Sequence, residues 1–384
     1  MYKQIKVTSI FVSFLMLAAL STTTFGQGRA APRTLGAGAV YVMTNQVENA
    51  VAVFRRSSTG TLTSAGEFPT GGAGDPIPQG TDPATDPLAS QGALILGEDN
   101  EFLFAVNAGS NQISVLRIER DGLTTADLVD SGGVRPISLA LHDDLLYVLN
   151  EGGTPNITGF TVNDDGTLTP LAGSTQPLIG GTAADPAEIS FSPDGMLLVV
   201  TEKAGNRINT YTIDANGLPS APIDNPSNGM APFGFAFNDG GTLVVSEAFG
   251  GAPNQSAVSS YSAPESGILS VISRSIPNFQ TASCWVVTTN NGKSAFVSNT
   301  GSGTISSYGI GEDGTLSLIS PIAADTGLGS APIDMALNNS SRFLYVIAAG
   351  TQSVLSFRVG RNGVLTLIDT DGGLPLGAQG IAAK

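Results

Sequence analysis

The chain has 384 residues, 48 of them glycine, a single cysteine and a formal charge of −15 at pH 7. One cysteine excludes an internal disulfide framework, and one histidine excludes His-based zinc sites and the HExxH protease motif. So acidic a chain, with few lysines, is a poor nucleic-acid binder and disfavours anionic membrane surfaces.

At the N-terminus Lys3 and Lys6 precede an apolar stretch from Val7 to Leu20, then polar residues and the small residue Gly26. This is the pattern of a secretory signal peptide cleaved near Gly26-Gln27, and it predicts a periplasmic or extracellular protein with no membrane insertion after cleavage. The apolar stretch is short for a membrane span. Losing residues 1–26 removes two lysines and no acid, moving the formal charge from −15 to −17. Residues 27–35 read as a lead-in and 36–384 as one domain.

Within that domain a hydrophobic residue is followed six positions later by glycine seven times: Phe54/Gly60, Leu116/Gly122, Phe160/Gly166, Tyr211/Gly217, Tyr261/Gly267, Tyr308/Gly314 and Phe357/Gly363. A leucine follows each glycine by one or two residues. Such a period marks a repeated supersecondary unit that cannot bury its apolar faces alone. One unit reads clearly from Pro186: an apolar run to Phe191, the turn Ser192-Pro193-Asp194-Gly195, a second apolar run to Thr201, and a loop. An alternating run from Arg207 to Ile213 follows, then the turn Asp214-Ala215-Asn216-Gly217 and a more polar segment. These are four hairpin-connected strands, a to d. Strand b is apolar at nearly every position, as in Phe102 to Val106 and Leu145 to Leu149, so both faces of its sheet must be covered. Four-stranded sheets packed face to face around an axis satisfy this, and the chain is predicted to be an all-β, seven-bladed β-propeller. The first unit begins at strand b (Ala39 to Thr44), and the orphan segment from Gln379 to Ala383 resembles a strand a. Pairing the two would close the ring and remove two open edges.

The a–b and c–d turns belong on one face; the b–c loops and d–a crossovers belong on the other, around the central channel. Insertions fall on the second face, at Gly71 to Ser90, Thr175 to Asp185 and Phe249 to Ser256, and such one-sided insertion marks a binding face. Ends of strand b bring Asn107, Asn150, Glu151, Glu202, Lys203, Glu247 and Asn299 to that mouth; starts of strand a bring Arg135, Glu188, Cys284, Trp285 and Asp334. Carboxylates, two cations and side-chain amides converging on a channel suit polarising a carbonyl and activating water. A Cys284–His142 dyad is excluded because the two residues lie at opposite ends of strands a. No Gly-x-Ser-x-Gly elbow occurs, and Asp75, Asp82 and Asp86 match no calcium loop.

The segments Phe104-Ala105-Val106-Asn107-Ala108-Gly109-Ser110-Asn111, Val199-Val200-Thr201-Glu202-Lys203 and Ser246-Glu247-Ala248-Phe249-Gly250-Gly251 resemble the seven-bladed propeller lactonase family. That family groups 6-phosphogluconolactonase-like with carboxymuconate cyclase-like proteins and is related to the YVTN-repeat propellers. The resemblance implies opening or closing of a lactone ring without a cofactor. It casts Glu202 or Glu247 as general base and Lys203 or Arg135 as oxyanion stabiliser. Asn107, Asn150, Glu151, Glu188, Trp285, Asn299 and Asp334 are then substrate-binding, with no metal. The expected protein is an exported, monomeric hydrolase of a neutral or carboxylated lactone; the alternative is a non-catalytic propeller that binds a carbohydrate or a protein.

Overall fold

The computed structural model describes residues 37–77 and 84–384; the leader (1–26), the lead-in (27–35) and Asp82 lie outside the described residues. Seven antiparallel sheets follow one another along the chain. Blade 4 is typical, with strands Pro186–Phe191, Leu197–Glu202, Arg207–Thr212 and Ile223–Pro226 paired in that order. Blade 3 departs from the pattern, because its outer strand is cut to Leu168–Pro170 and Gln176–Pro177 pairs again with the same third strand.

Burial follows strand position. All six residues are buried in each of the second strands Phe102–Asn107, Leu197–Glu202, Thr242–Glu247 and Phe343–Ala348. Outer strands such as Leu62–Pro69 are mostly exposed. The second strand is chiefly apolar because each of its faces packs on a neighbouring blade, and its polar ends such as Asn107, Glu202 and Glu247 are buried with it.

The repeated glycine has two physical causes. All seven sit in the c–d turn with positive φ, between 69° at Gly363 and 157° at Gly122, where a side chain is strained. Most also press on the preceding blade: a Cβ at Gly166 would overlap Phe102, and one at Gly60 would overlap Phe343 across the junction of blades 1 and 7. The hydrophobic residue six positions earlier is buried in every blade.

Ring closure is as the ends of the sequence predict. Ile381–Ala383 pairs antiparallel with Gly38–Met43, with Tyr41 opposite Ala382. Lys384 and Ala39 exchange backbone bonds at 2.9 and 3.2 Å, and Gly380 O accepts from Met43 N–H at 3.0 Å. Deleting residues 379–384 removes these bonds and the buried Gln379 and Ile381. At roughly 1 kcal/mol per hydrogen bond plus apolar burial, the loss should be about 4 kcal/mol or more. Urea unfolding should show a lowered midpoint for the truncated chain; an unchanged one would mean that the tail does not hold the ring.

Candidate functional site

Three residues before the channel-lining position of each blade, the backbone takes a positive φ: Ala89, Arg135, Asp185, Ala231, Ala282, Ala331 and Gly377, all between 44° and 83°. The chain turns sharply there from the crossover into the innermost strand. In blades 3 to 7 that strand then breaks register with its neighbour, a β-bulge. The bulge leaves backbone N–H groups without a partner in their own sheet. The residues that turn and bulge carry to one level of the axis are Gly92, Ser138, Glu188, Gly234, Trp285, Asp334 and Gly380.

Neighbouring blades supply the missing acceptors. Ile189 N–H donates to Ser138 Oγ at 3.1 Å, Phe235 N–H to Glu188 Oε2 at 2.6 Å and Gly380 N–H to Asp334 Oδ2 at 2.7 Å. Gly234 has no side chain to offer, and Gln91 reaches across from blade 2 to take Val286 N–H on its Oε1 at 2.9 Å. The Gln91 amide nitrogen donates to Val286 O at 2.9 Å and to Glu188 Oε1 at 3.1 Å. Gly234 must be glycine because a Cβ there would overlap Gln91.

Above this ring the inserted segment packs down onto the axis. Leu88, Ala89 and Ser90 are buried. Trp285 Nε1 donates to Ser90 O at 2.9 Å, Leu88 N–H donates to Gln379 Oε1 at 2.7 Å, and Arg135 donates to Pro87 O at 2.6 Å. Lys203 donates to Ala89 O at 2.9 Å and pairs with Asp185 at 3.0 Å. Arg135 also pairs with Asp75 at 3.0 Å and with Glu151. Both cations therefore tie the insertion to the blades.

Below the ring a channel of about 520 Å³ stays open toward the a–b turns, reaching Pro193 and Asn290. Its lining mixes Leu, Ile, Val and Phe side chains with an exposed wall that is polar as well as apolar, and no Lys, Arg or His is among its lining residues. Glu188 and Asp334 stand at its inner end and are almost fully buried. Burial pushes the Asp334 carboxyl up to about 7. Burial first, and then the nearby Asp334 charge, drive Glu188 well above the usual carboxylate range, against the lowering pull of Phe235 N–H. Burial thus opposes the charged form of both carboxyls at the inner end of the channel.

The ends of the second strands do something else. Asn107, Asn150, Glu202, Glu247 and Asn299 are fully buried and latch the crossover that precedes their own blade. Gly180 N–H donates to Glu202 Oε2 at 3.0 Å, and Asn209 also donates to Glu202. Gly229 N–H donates to Glu247 Oε1 at 2.9 Å, as does Ser259 Oγ at 2.5 Å. Asn150 donates to Ser131 O at 3.2 Å, while Asn107 and Asn299 accept from Thr70 and Asn278. A Cβ at Gly72, Gly133, Gly180 or Gly229 would overlap Asn107, Asn150, Glu202 or Glu247 respectively. Glu247 Oε2 is buried without a partner, and burial raises this carboxyl.

Of the residues expected at one mouth, the structure thus brings Glu188, Trp285 and Asp334 to the ring and sets Arg135, Glu151 and Lys203 around the insertion. It places the five strand-b residues between blades. Cys284 is buried beside the ring and His142 packs on Phe191 at the other end of a first strand. Gln91 is the member that sequence reasoning missed. Its signal was available: Ala89-Ser90-Gln91-Gly92 aligns with Arg135-Pro136-Ile137-Ser138 and Ala331-Pro332-Ile333-Asp334. No cluster of three metal-ligating side chains occurs among the described residues.

The family described as lactonase, 7-bladed beta-propeller matches residues 35–178 and 99–277. No curated protein matches significantly. The Pseudomonas aeruginosa periplasmic gluconolactonase PpgL superposes with a TM-score of 0.65 at 16% identity, covering 89% of this chain and 98% of that one. A Bacteroides uniformis protein provisionally described as a 6-phosphogluconolactonase gives a TM-score of 0.65 at 19% identity, covering 89% and 99%. A Lactobacillus plantarum protein gives 0.67 at 18%, covering 90% and 99%. At these identities the three likenesses speak for the fold.

The carboxyl pair has a signature in stability. Asp334 has a folded pKa near 7, above its unfolded value of about 4. Its contribution is therefore full below about pH 4 and is lost as pH rises toward 7, where only the unfolded chain ionises freely. Asp334→Asn keeps an acceptor for Gly380 N–H and removes the ionisation. Relative to wild type, the variant should gain up to about 4 kcal/mol between pH 4 and pH 8 in urea unfolding. Parallel pH curves for the two proteins would contradict the shift.

Proposed function

Since this chain belongs to the lactonase family of seven-bladed β-propellers, we propose that it opens a small, neutral lactone at the inner end of its central channel. The observation that carries this reading is the buried Glu188 and Asp334 carboxyls at the end of a channel whose lining holds no cation. Asp334, near neutrality, is the general base: it takes a proton from a water whose oxygen bonds to the lactone carbonyl carbon. Glu188, whose ionisation burial opposes, acts in its protonated form and donates a hydrogen bond to the carbonyl oxygen as charge builds there. When the tetrahedral intermediate collapses, the ring C–O bond breaks and Asp334 returns its proton to the leaving oxygen, giving a hydroxy acid. No cofactor enters the scheme, and one chain contains all of it. The absence of cations from the channel lining favours a neutral lactone over a carboxylated or phosphorylated one.

A panel of γ- and δ-lactones, neutral, carboxylated and phosphorylated, tests the reading. Asp334→Asn and Glu188→Gln should each lower kcat/KM for the neutral compounds about 100-fold or more, while Glu202→Gln and Glu247→Gln stay within about threefold of wild type. The unpartnered Oε2 of Glu247 favours a second reading, with Glu247 as the base. A collapse of activity in Glu247→Gln alone would select it. No turnover of any lactone by wild type would leave the non-catalytic binding role.

The same proposal places the protein outside the cytoplasm, on the strength of the charged, apolar and small-residue order of residues 1–26. Protein recovered from the periplasm of a Gram-negative host should begin at or near Gln27 by N-terminal sequencing. A chain still beginning at Met1 would refute export through this leader.

A further inference from the structure

A groove of about 880 Å³ lies on the turn face between blades 6 and 7, outside the channel. Its polar rim includes Asn291, Lys293, Ser340 and Arg361, and Ile319 and Val359 supply apolar surface. The wall is preformed. Ser341 Oγ donates to Asn290 Oδ1 at 2.7 Å and accepts Asn290 N–H at 2.9 Å, so the a–b turns of the two blades are stapled together. None of the ion pairs among the described residues involves Lys293 or Arg361.

Charge on this face is divided into sectors. The turns 289–293, 338–342, 360–363 and 57–60 hold Lys293, Arg342 and Arg361 and no acid; the acidic neighbours Glu312 and Asp313 stand on the outer turn of blade 6. On blades 2 to 4 the equivalent turns carry Glu98, Asp99, Glu101, Asp143, Asp144, Asp164, Asp165, Asp194 and Asp214. In a chain of net charge −15 the Arg342 and Arg361 side of this groove is the exception, while Lys293 also borders a hollow shared with Asp239 and Glu312.

We infer that this groove binds a short oligosaccharide bearing a uronic-acid carboxylate. The two cations take the carboxylate, Arg361 being suited to bidentate contact; the amides and hydroxyls take sugar hydroxyls, and Ile319 and Val359 meet the apolar edge of a ring. A long polyanion is disfavoured by the field of the rest of the molecule, whereas a short ligand with up to three charges and many hydroxyls is not. The site stands independently of the lactone reading, although Asn290, which also lines the channel, brings one end of the groove to the channel mouth.

The test is calorimetric titration of the full chain with trigalacturonate, with maltotriose as the neutral control and inorganic phosphate as the small-anion control. Trigalacturonate should bind at least 10-fold tighter than either control, and 0.5 M NaCl should weaken it. The double variant Lys293→Gln/Arg361→Gln should lose at least 10-fold in affinity with an unchanged melting temperature, while Asp334→Asn binds as wild type does. Equal affinity for maltotriose or phosphate, or full affinity in the double variant, would overturn the assignment. Because binding is read directly, failure here is distinct from failure of lactone turnover. If the double variant misfolds, the salt dependence and the two controls with wild type still decide.

Discussion

A bulged innermost strand leaves a buried N–H facing the preceding blade, and that blade has to supply the acceptor. This requirement dominates the axis of the molecule. An unmet donor there would cost on the order of 1–3 kcal/mol. Ser138 shows that a hydroxyl is sufficient, and Gln91 shows that an amide borrowed from across the channel also serves. A carboxylate is the expensive choice, because burial opposes its charge. Its use at Glu188 and Asp334 therefore does more than satisfy a backbone donor: it installs two protons' worth of titratable chemistry where the channel ends. The same bonds hold the two groups in place without a cation that would return them to ordinary acidity.

The latches at the ends of the second strands make an instructive contrast. There Asn and Glu alternate in one structural role, each closing over a crossover, four of them upon a glycine. Interchange of amide and carboxylate says that hydrogen bonding, and not charge, is what the position requires. Glu202 has both oxygens engaged, whereas Glu247 keeps one oxygen unpartnered at a raised pKa. The difference between them lies in the crossover each must hold, and it is why only Glu247 retains a rival claim to chemistry.

Fold and site were unequally legible in the sequence. Blade count and closure could be read because the glycine of the c–d turn is required twice over, by its φ and by the blade beside it, so the same residue type recurs at every copy. The ring has no such constancy. Its seven members are Gly, Ser, Glu, Gly, Trp, Asp and Gly, and what they share is a backbone conformation three residues earlier. Sequence reasoning placed Glu188, Asp334, Glu202 and Glu247 at one mouth because all four stand near strand ends on one face. What separates them is lateral: the first strand faces the axis and the second faces its neighbours, a distinction set by the bulge. The insertion from Gly71 to Ser90 was read as a marker of the binding face. Its described C-terminal part instead packs into the axis and engages Arg135 and Lys203, the cations expected to serve chemistry.

That packing also bears on the direction of traffic. With Leu88, Ala89, Ser90 and Gln91 across the axis on the crossover side, the open length of the channel faces the turns. Under the proposed lactone reading, a neutral substrate would enter from that side, since it would not have to shed strongly held water to pass a channel without cations. The proposed hydrolysis would change the balance at the inner end, because its product would be an anion near two buried carboxyls, and like charges repel. Outward, past Asn290, lie Lys293 and Arg361 on the turn face. On the proposed reading the acidity of the molecule and its local exception would act together: the channel would bind an uncharged substrate and release a charged product toward the side from which the substrate came.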